Sequence, residues 1–356
     1  MNKKQLILGL VVVVAIVGLV IWGRGRIHFD FVAFRAQLAM ADWKLIALGL
    51  GFIYLAYIFR SVRWAFLLRH NKKVHPLSLL GTQVIGFTAV ALIGRVADPV
   101  RPYLVAKKTS LPLSSQIAVY IVERLFDMGS MALVFSSSVL IASWFGTAGA
   151  MPHPELVKKS GYWGLLLTIA GAAFLVAVRF AGNAVASFFE GTLGVISKKM
   201  GHAVGHKIRE FRTGLDTMRS FSDFAAAAGL SIGMWLLIAA SYLATMRAFV
   251  ASPELAVMTP AKCVLMMVVS GVSSVIQLPV LGWFTQIGLV AAAISKFFAV
   301  SPEASTACAA TLLLVTFLGI IPIGLIWAQF EHVSLRKVTV ESEHAEEELE
   351  AAEATE

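Results

Sequence analysis

Apolar runs separated by short basic loops dominate the chain, and their lengths set the architecture. Gln5–Trp22, Leu45–Phe59, Leu113–Phe145, Gly161–Val178, Phe224–Phe249 and Ser305–Phe330 are each long enough, or nearly so, to cross a bilayer as a helix. Gln5–Trp22 follows Met1-Asn2-Lys3-Lys4 with no small-x-small cleavage pattern after it, so it reads as a retained anchor. Ile27–Trp43 mixes Phe29, Phe31, Phe34 and Leu38 with Arg35 and Asp42, a pattern that predicts an interfacial amphipathic helix. Asn183–Ser220 reads as a basic amphipathic segment. Two further apolar runs are interrupted. Leu77–Gly94 carries Gly81, Gln83, Gly86 and Thr88, and Lys262–Val300 is broken at Gly271, Pro279 and Gly282. Glu341–Glu356 is too acidic to bury a core and is expected to be a solvated, disordered end.

The basic loops fix an orientation for these elements. Lys3 and Lys4, then Arg63, Arg69, Lys72 and Lys73, then Arg95, Arg101, Lys107 and Lys108, then the group from Lys198 to Arg219, and finally Arg336 and Lys337 place both termini in the cytoplasm. Leu77–Gly94 then has cytoplasmic loops on both sides and must enter and return as a re-entrant hairpin. Lys262–Val300 starts and ends outside, as a second re-entrant pair or as two short spans. The expected fold is an all-α polytopic membrane protein with about six spanning helices plus two re-entrant or broken elements. Val84–Val90 can be laid on Val269–Val275, which raises an inverted repeat, the arrangement that places transporter sites between interrupted helices.

Composition narrows the class. The 356 residues are 58% apolar and 14% charged, which excludes a soluble enzyme, a disordered chain and a nucleic-acid module. The net charge of +9 hides an asymmetry: residues 331–356 hold nine acids and two bases, so residues 1–330 carry a surplus of 16 positive charges. On a membrane protein such a surplus marks flanks that face anionic lipid. Cys263 and Cys308 lie in apolar runs and support neither a disulfide framework nor a cysteine zinc site.

Charged and helix-breaking residues at membrane depth are costly and tend to be functional, so three groups are candidates for a substrate site. Arg95, Asp98 and Arg101 surround Pro99 and Pro102; two guanidiniums could grip a phosphate in a bidentate fork, or they could be snorkelling side chains at a loop. Glu123 and Asp127 share one helical face and Arg124 can reach Asp127 one turn on; with Glu123 about 14 Å along its helix at about 1.5 Å per residue, the group approaches the midplane. Two acids and one arginine leave a formal −1, which suits a carboxyl that holds a coupling proton, or a structural ion pair. Gln277, Pro279, Gly282, Thr285 and Gln286 form a helix break whose free N–H groups could meet an anion, or a plain kink. Arg60 and Arg63, beside Trp64, read as interfacial anchors.

Four stretches carry a family resemblance: Phe59-Arg60-Ser61-Val62-Arg63-Trp64, Arg95-Val96-Ala97-Asp98-Pro99-Val100-Arg101-Pro102-Tyr103-Leu104, Ile121-Val122-Glu123-Arg124-Leu125-Phe126-Asp127, and Gln277-Leu278-Pro279-Val280-Leu281-Gly282. Through them the chain resembles the flippase-like family of the lysylphosphatidylglycerol synthase transmembrane region. The Glu-Arg-x-x-Asp element matches fully; Asp98 stands where the family usually has Glu, and Thr285-Gln286 stand where an acid is usual. The resemblance implies a flippase-like transmembrane domain over residues 1–330 and an acidic cytoplasmic tail over 331–356. It implies a lipid translocator in a prokaryotic cytoplasmic (inner) membrane, moving an anionic or phosphate-bearing lipid such as a membrane phospholipid or a polyprenyl-phosphate-type lipid. No Walker motif occurs, so passage is expected to be ATP-independent, downhill or proton-coupled. The expectation is a transporter rather than an enzyme, with no cofactor, no metal and no nucleic-acid partner, and with a homo-oligomer or a lipid-synthesis enzyme as possible company. The alternatives are a membrane partner subunit of a lipid-modifying enzyme, or a lipid-linked transferase.

Overall fold

The computed structural model describes residues 29–146, 154–195, 197–214, 220–274 and 281–353. Gln5–Trp22, Gln277 and Pro279 lie outside them. The described residues are helical and contain no strand. In chain order the helices are α1 (Phe31–Ala39), α2 (Trp43–Leu68), α3 (Leu80–Ile93, preceded by a 3₁₀ turn Pro76–Leu79), α4 (Val100–Thr109), α5 (Leu113–Trp144), α6 (Pro154–Gly194), α7 (Lys198–Gly214), α8 (Phe221–Arg247), α9 (Pro260–Ser273), α10 (Leu281–Phe298), α11 (Pro302–Thr316), α12 (Ile321–Phe330) and α13 (Leu335–Glu353). By length and composition, five helices among the described residues can cross a membrane, or six when α11 and α12, bent by 40° at their junction, count as one span. An all-α polytopic membrane fold is what the hydropathy pattern requires.

The frame is the antiparallel pair α2 and α8. Without water to drive them together, membrane helices pack closely where their facing residues are small. Gly49 supplies such a place, because a Cβ there would stand 2.7 Å from Thr245 Oγ1 and 3.3 Å from the Ser241 carbonyl oxygen. Both ends are tied. Asp42 caps α2 by accepting from the Lys44 and Leu45 amides, while its own amide donates to the Ala248 carbonyl at 2.8 Å. At the other end Ser220 and Asp223 form a capping box on α8, and Arg69 and His70 both bond the Asp223 carboxylate.

Two helical hairpins enter this frame from opposite ends. In the first, α3 runs in without a break and the chain reverses at Gly94–Pro99, so α4 is the returning arm. The return expected inside Leu77–Gly94 is therefore displaced. The glycines of α3 are spent on close packing, and Gly94, at φ 99°, makes the turn. The open end of this hairpin is near residue 72, where Lys72 Nζ donates to the Thr109 carbonyl at 2.6 Å, and Lys108 pairs with Glu331. In the second hairpin α9 and α10 are antiparallel: Gln286 Nε2 donates to Ser270 Oγ near the tip and Lys262 lies over the Phe298 ring near the base. That base adjoins the α8 terminus, where Arg247 Nε donates to the Met258 carbonyl. The antiparallel pairing fits the expectation that 262–300 starts and ends on one side. The tips meet. Arg95 donates to the Ser274 carbonyl from Nε and Nη2, at 3.3 and 3.2 Å.

Other expectations shift. The register that aligned Val84–Val90 with Val269–Val275 does not match the hairpins, because Gly86 lies eight residues before the turn at Gly94 and Gly271 three before the cap at Ser274. Over its described residues, 29–43, the expected interfacial helix is the short α1, then a break that Asp42 uses to start α2. The span at 161–178 is part of the 41-residue α6, bent at Ala181, and α7 doubles back against it through the Arg209–Glu190 pair. The acidic end, expected to be disordered, is helical as far as Glu353. Val338, Thr339 and Ser342 of α13 are buried, and Glu341 accepts a bond from the Tyr103 hydroxyl, so its apolar side has the first hairpin to pack on.

The hairpin geometry makes a test of sidedness. Asn71→Cys and Ser110→Cys should label together from one face of the membrane, and Ala251→Cys from the other. Cys263 and Cys308 are buried and remain silent. Labelling of 71 and 110 from opposite faces would show that 76–109 crosses once.

Candidate functional site

The charged residues of three helices converge between α2, α4 and α5. Asp127 Oδ1 accepts from Arg63 Nη1 at 2.7 Å, and Asp127 Oδ2 from Arg60 Nη1 at 3.2 Å. Glu123 Oε1 is shared by Arg101 Nη2 at 2.6 Å, Arg60 Nη1 at 3.1 Å, Arg63 Nη2 at 3.1 Å and Arg124 Nη2 at 3.2 Å. Arg124 also lies 3.6 Å from Asp127. Arg63, Arg101 and Glu123 are essentially sealed from outside, whereas the Arg124 side chain is 36% exposed.

Each arginine reaches the centre for a local reason. Arg60 and Arg63 are three apart on α2 and so share a face. Arg101 leaves the first turn of α4 toward α3, where Gly86 leaves space for its stem: a Cβ on Gly86 would overlap Arg101 Cγ, at 2.2 Å. Gln83 accepts from Arg101 Nε at 3.1 Å. Aromatic faces surround the guanidiniums, with Phe87 at 4.4 Å from Arg101 and 4.8 Å from Arg60, and Tyr120 at 5.0 Å from Arg124. Trp64 is fully buried and donates to Gln116, which holds α2 against α5.

The group count changes the electrostatics inferred from sequence. Four arginines face two carboxylates, so the cluster carries +2 where Glu123, Arg124 and Asp127 alone suggested −1. The spare acid that motivated a coupling proton on Glu123 does not exist. Several donors still lack an acceptor in the interior, among them Arg101 Nη1, Arg124 Nε and Gln83 Nε2. Unmet buried donors beside surplus positive charge are what an anionic group would satisfy. Arginines engage both acids, which disfavours a magnesium ion between them.

The three predicted groups fare differently. Glu123, Arg124 and Asp127 are the centre of the cluster, and Arg101 joins them. Arg95 and Asp98 do not, so the fork of Arg95 with Arg101 is not assembled: Arg95 reaches Ser274 and stands 3.9 Å from Asp98. In the third group, Thr285 donates to the Gly282 carbonyl and Gln286 to Ser270, so these bonds stay inside the second hairpin. Sequence reasoning misplaced Arg60 and Arg63 as interfacial anchors and passed over Gln83 and Gln116. The spacing of Arg60 and Arg63 on an apolar helix was the available signal, because two charges on one face need a common partner.

Removal of one member exposes the others. Asp127→Asn takes a charged partner from Arg63 and Arg60 and is expected to cost about 3–5 kcal/mol of stability. The apolar double variant Arg63→Met with Asp127→Leu should lose less than the sum of its single changes. Reversible unfolding of all four proteins in one double-mutant cycle checks this, and simple additivity would show that the pair is uncoupled.

Neither a search of curated proteins nor a search of solved structures finds a match to this chain. The family model described as the lysylphosphatidylglycerol synthase TM region matches residues 6–325. That span includes both hairpins, the frame helices and every arginine and carboxylate of the cluster, and the chain belongs to the lysylphosphatidylglycerol synthase transmembrane-region family.

Proposed function

We propose that the protein is an ATP-independent translocator for anionic or phosphate-bearing lipids, phospholipids or polyprenyl-phosphate-type lipids, in a prokaryotic inner membrane with both termini in the cytoplasm. The observation that carries this reading is the +2 cluster between α2, α4 and α5. A guanidinium can hold a phosphate through two parallel N–H bonds, and inside a low-dielectric protein such bonds are stronger than in water. The hairpins add the second requirement, a route. They enter from opposite ends of the α2–α8 frame, and among the described residues Arg95 of the first bonds Ser274 of the second. Interrupted helices of this kind border the substrate path in many transporters. A headgroup would exchange among arginines already paired to Glu123 and Asp127, so no guanidinium is stranded at any stage. Acyl chains would stay in the hydrocarbon.

Proteoliposomes test the reading. Head-labelled phosphatidylglycerol and a labelled polyprenyl phosphate should become accessible to an impermeant quencher faster than in protein-free vesicles. Arg101→Ala and Arg124→Gln should each slow the movement by about tenfold or more, the loss expected for one charge-assisted partner. Rates equal to empty vesicles for both lipids would overturn the reading. Covalent change of the lipid without movement would assign a transferase instead.

A further inference from the structure

An apolar groove of about 640 Å³ lies along α5, α6 and α8, behind the charged cluster. Its volume is that of a ligand pocket. Ile121, Leu125 and Met128 of α5 form one wall, Leu167 and Gly171 of α6 another, and Phe224 of α8 packs on Phe126 at its inner side, with ring centroids 5.1 Å apart. Two glycines open it. A Cβ on Gly129 or on Gly171 would meet nothing within 4 Å. Ile121 and Met128 are largely exposed, so the groove is accessible from outside the helix bundle.

On α5, Arg124 lies next to two of the groove's lining residues, although it does not itself line the groove. Ile121 and Met128 stand three residues before and four residues after Arg124, which puts all three side chains on adjoining strips of α5. Arg124 is also the most exposed of the four cluster arginines, at 36% of its side chain against 10% for Arg60 and 1% for Arg63 and Arg101. Its contacts to the carboxylates, 3.2 and 3.6 Å, are longer than the best bonds of Arg63 and Arg101, and its Nε is buried with no partner. A half-exposed arginine with an unmet donor, one helical strip from an apolar groove, fits a ligand that is anionic at one end and hydrocarbon at the other.

We propose that the α5–α6–α8 groove seats one hydrocarbon chain of a phosphate-bearing lipid whose headgroup is held beside it by Arg124. The proposal rests on the translocator reading and gives that reading a loading site. Arg63 and Arg101, sealed behind the carboxylates, keep the cluster in place, while Arg124 makes the first contact with the phosphate. Glu123 and Asp127 then act as placeholders: they hold the Arg124 guanidinium near the groove until the headgroup arrives.

The test uses the full chain in phosphatidylcholine nanodiscs doped with phosphatidylglycerol that carries a photoactivatable diazirine in one acyl chain. Irradiation should label α5 and α6 at residues lining the groove. Gly129→Phe and Gly171→Phe fill the open space and should each lower that labelling several-fold, whereas Gly191→Phe, at an equally open position lower on α6, should not. Arg124→Gln should reduce the preference for labelled phosphatidylglycerol over an equally labelled diacylglycerol by about tenfold. Wild-type labelling spread evenly over the outer face of α6, or an equal yield from diacylglycerol, would overturn the proposal without recourse to any variant. Unchanged transport and labelling in both groove variants would discard the seat and leave the translocator standing. Groove labelling by a wild-type protein that moves no lipid would keep the seat and discard the translocator.

Discussion

Everything near the centre of the molecule depends on the pairing of Glu123 and Asp127 with arginines from three helices. A buried charge without a partner costs several kcal/mol, so these two carboxylates dictate where α2, α4 and α5 can lie. The reach of a guanidinium therefore helps set the separation of those helices, beside the buried cluster of Leu67, Leu68, Val105, Val119 and Val122. The constraint is directional in a way that hydrocarbon packing is not. A sliding apolar helix exchanges one contact for another, whereas a turn of displacement here would leave Arg63 facing hydrocarbon. That rigidity lets the hairpins differ in character from the frame. The frame is locked by charge and by close contacts such as Gly49 against Thr245, whereas among the described residues the hairpins are joined by Arg95 on Ser274.

The described spanning helices, and the positions of both hairpins though not the turn of the first, were legible as hydropathy because each apolar run must satisfy its own backbone in the membrane. The basic loops correctly gathered Lys72, Lys108 and the start of the C-terminal helix at one end, since Thr109 and Glu331 meet those lysines there. Helix boundaries were less legible. α6 runs past the apolar stretch at 161–178 because polar residues can extend a helix beyond the hydrocarbon. The acidic C-terminal segment folds because Leu335 and Val338 find an apolar surface on the first hairpin, a partner that local composition does not reveal.

The central cluster was half legible. Glu123, Arg124 and Asp127 announced themselves as charges inside an apolar run. The missing half, Arg60 and Arg63, sits near a helix end, where an arginine is ordinarily free to snorkel. Only the position of α5 beside α2 shows that they turn inward. The same holds for Arg101, whose nearness to Arg95 in sequence suggested a shared fork. A tight turn followed by a helix sends two residues six apart to different neighbours.

Gly86 carries a consequence of its own. It has no charge and no polar side chain, yet its bare surface is the mould for the methylene stem of Arg101. A single methyl group there would push a guanidinium off Glu123 and reset the field at the heart of the bundle. The smallest residue in the chain thereby governs the electrostatics of the largest charged ones, and a lesion that looks purely steric would be read out as a change in which ions or headgroups the interior tolerates.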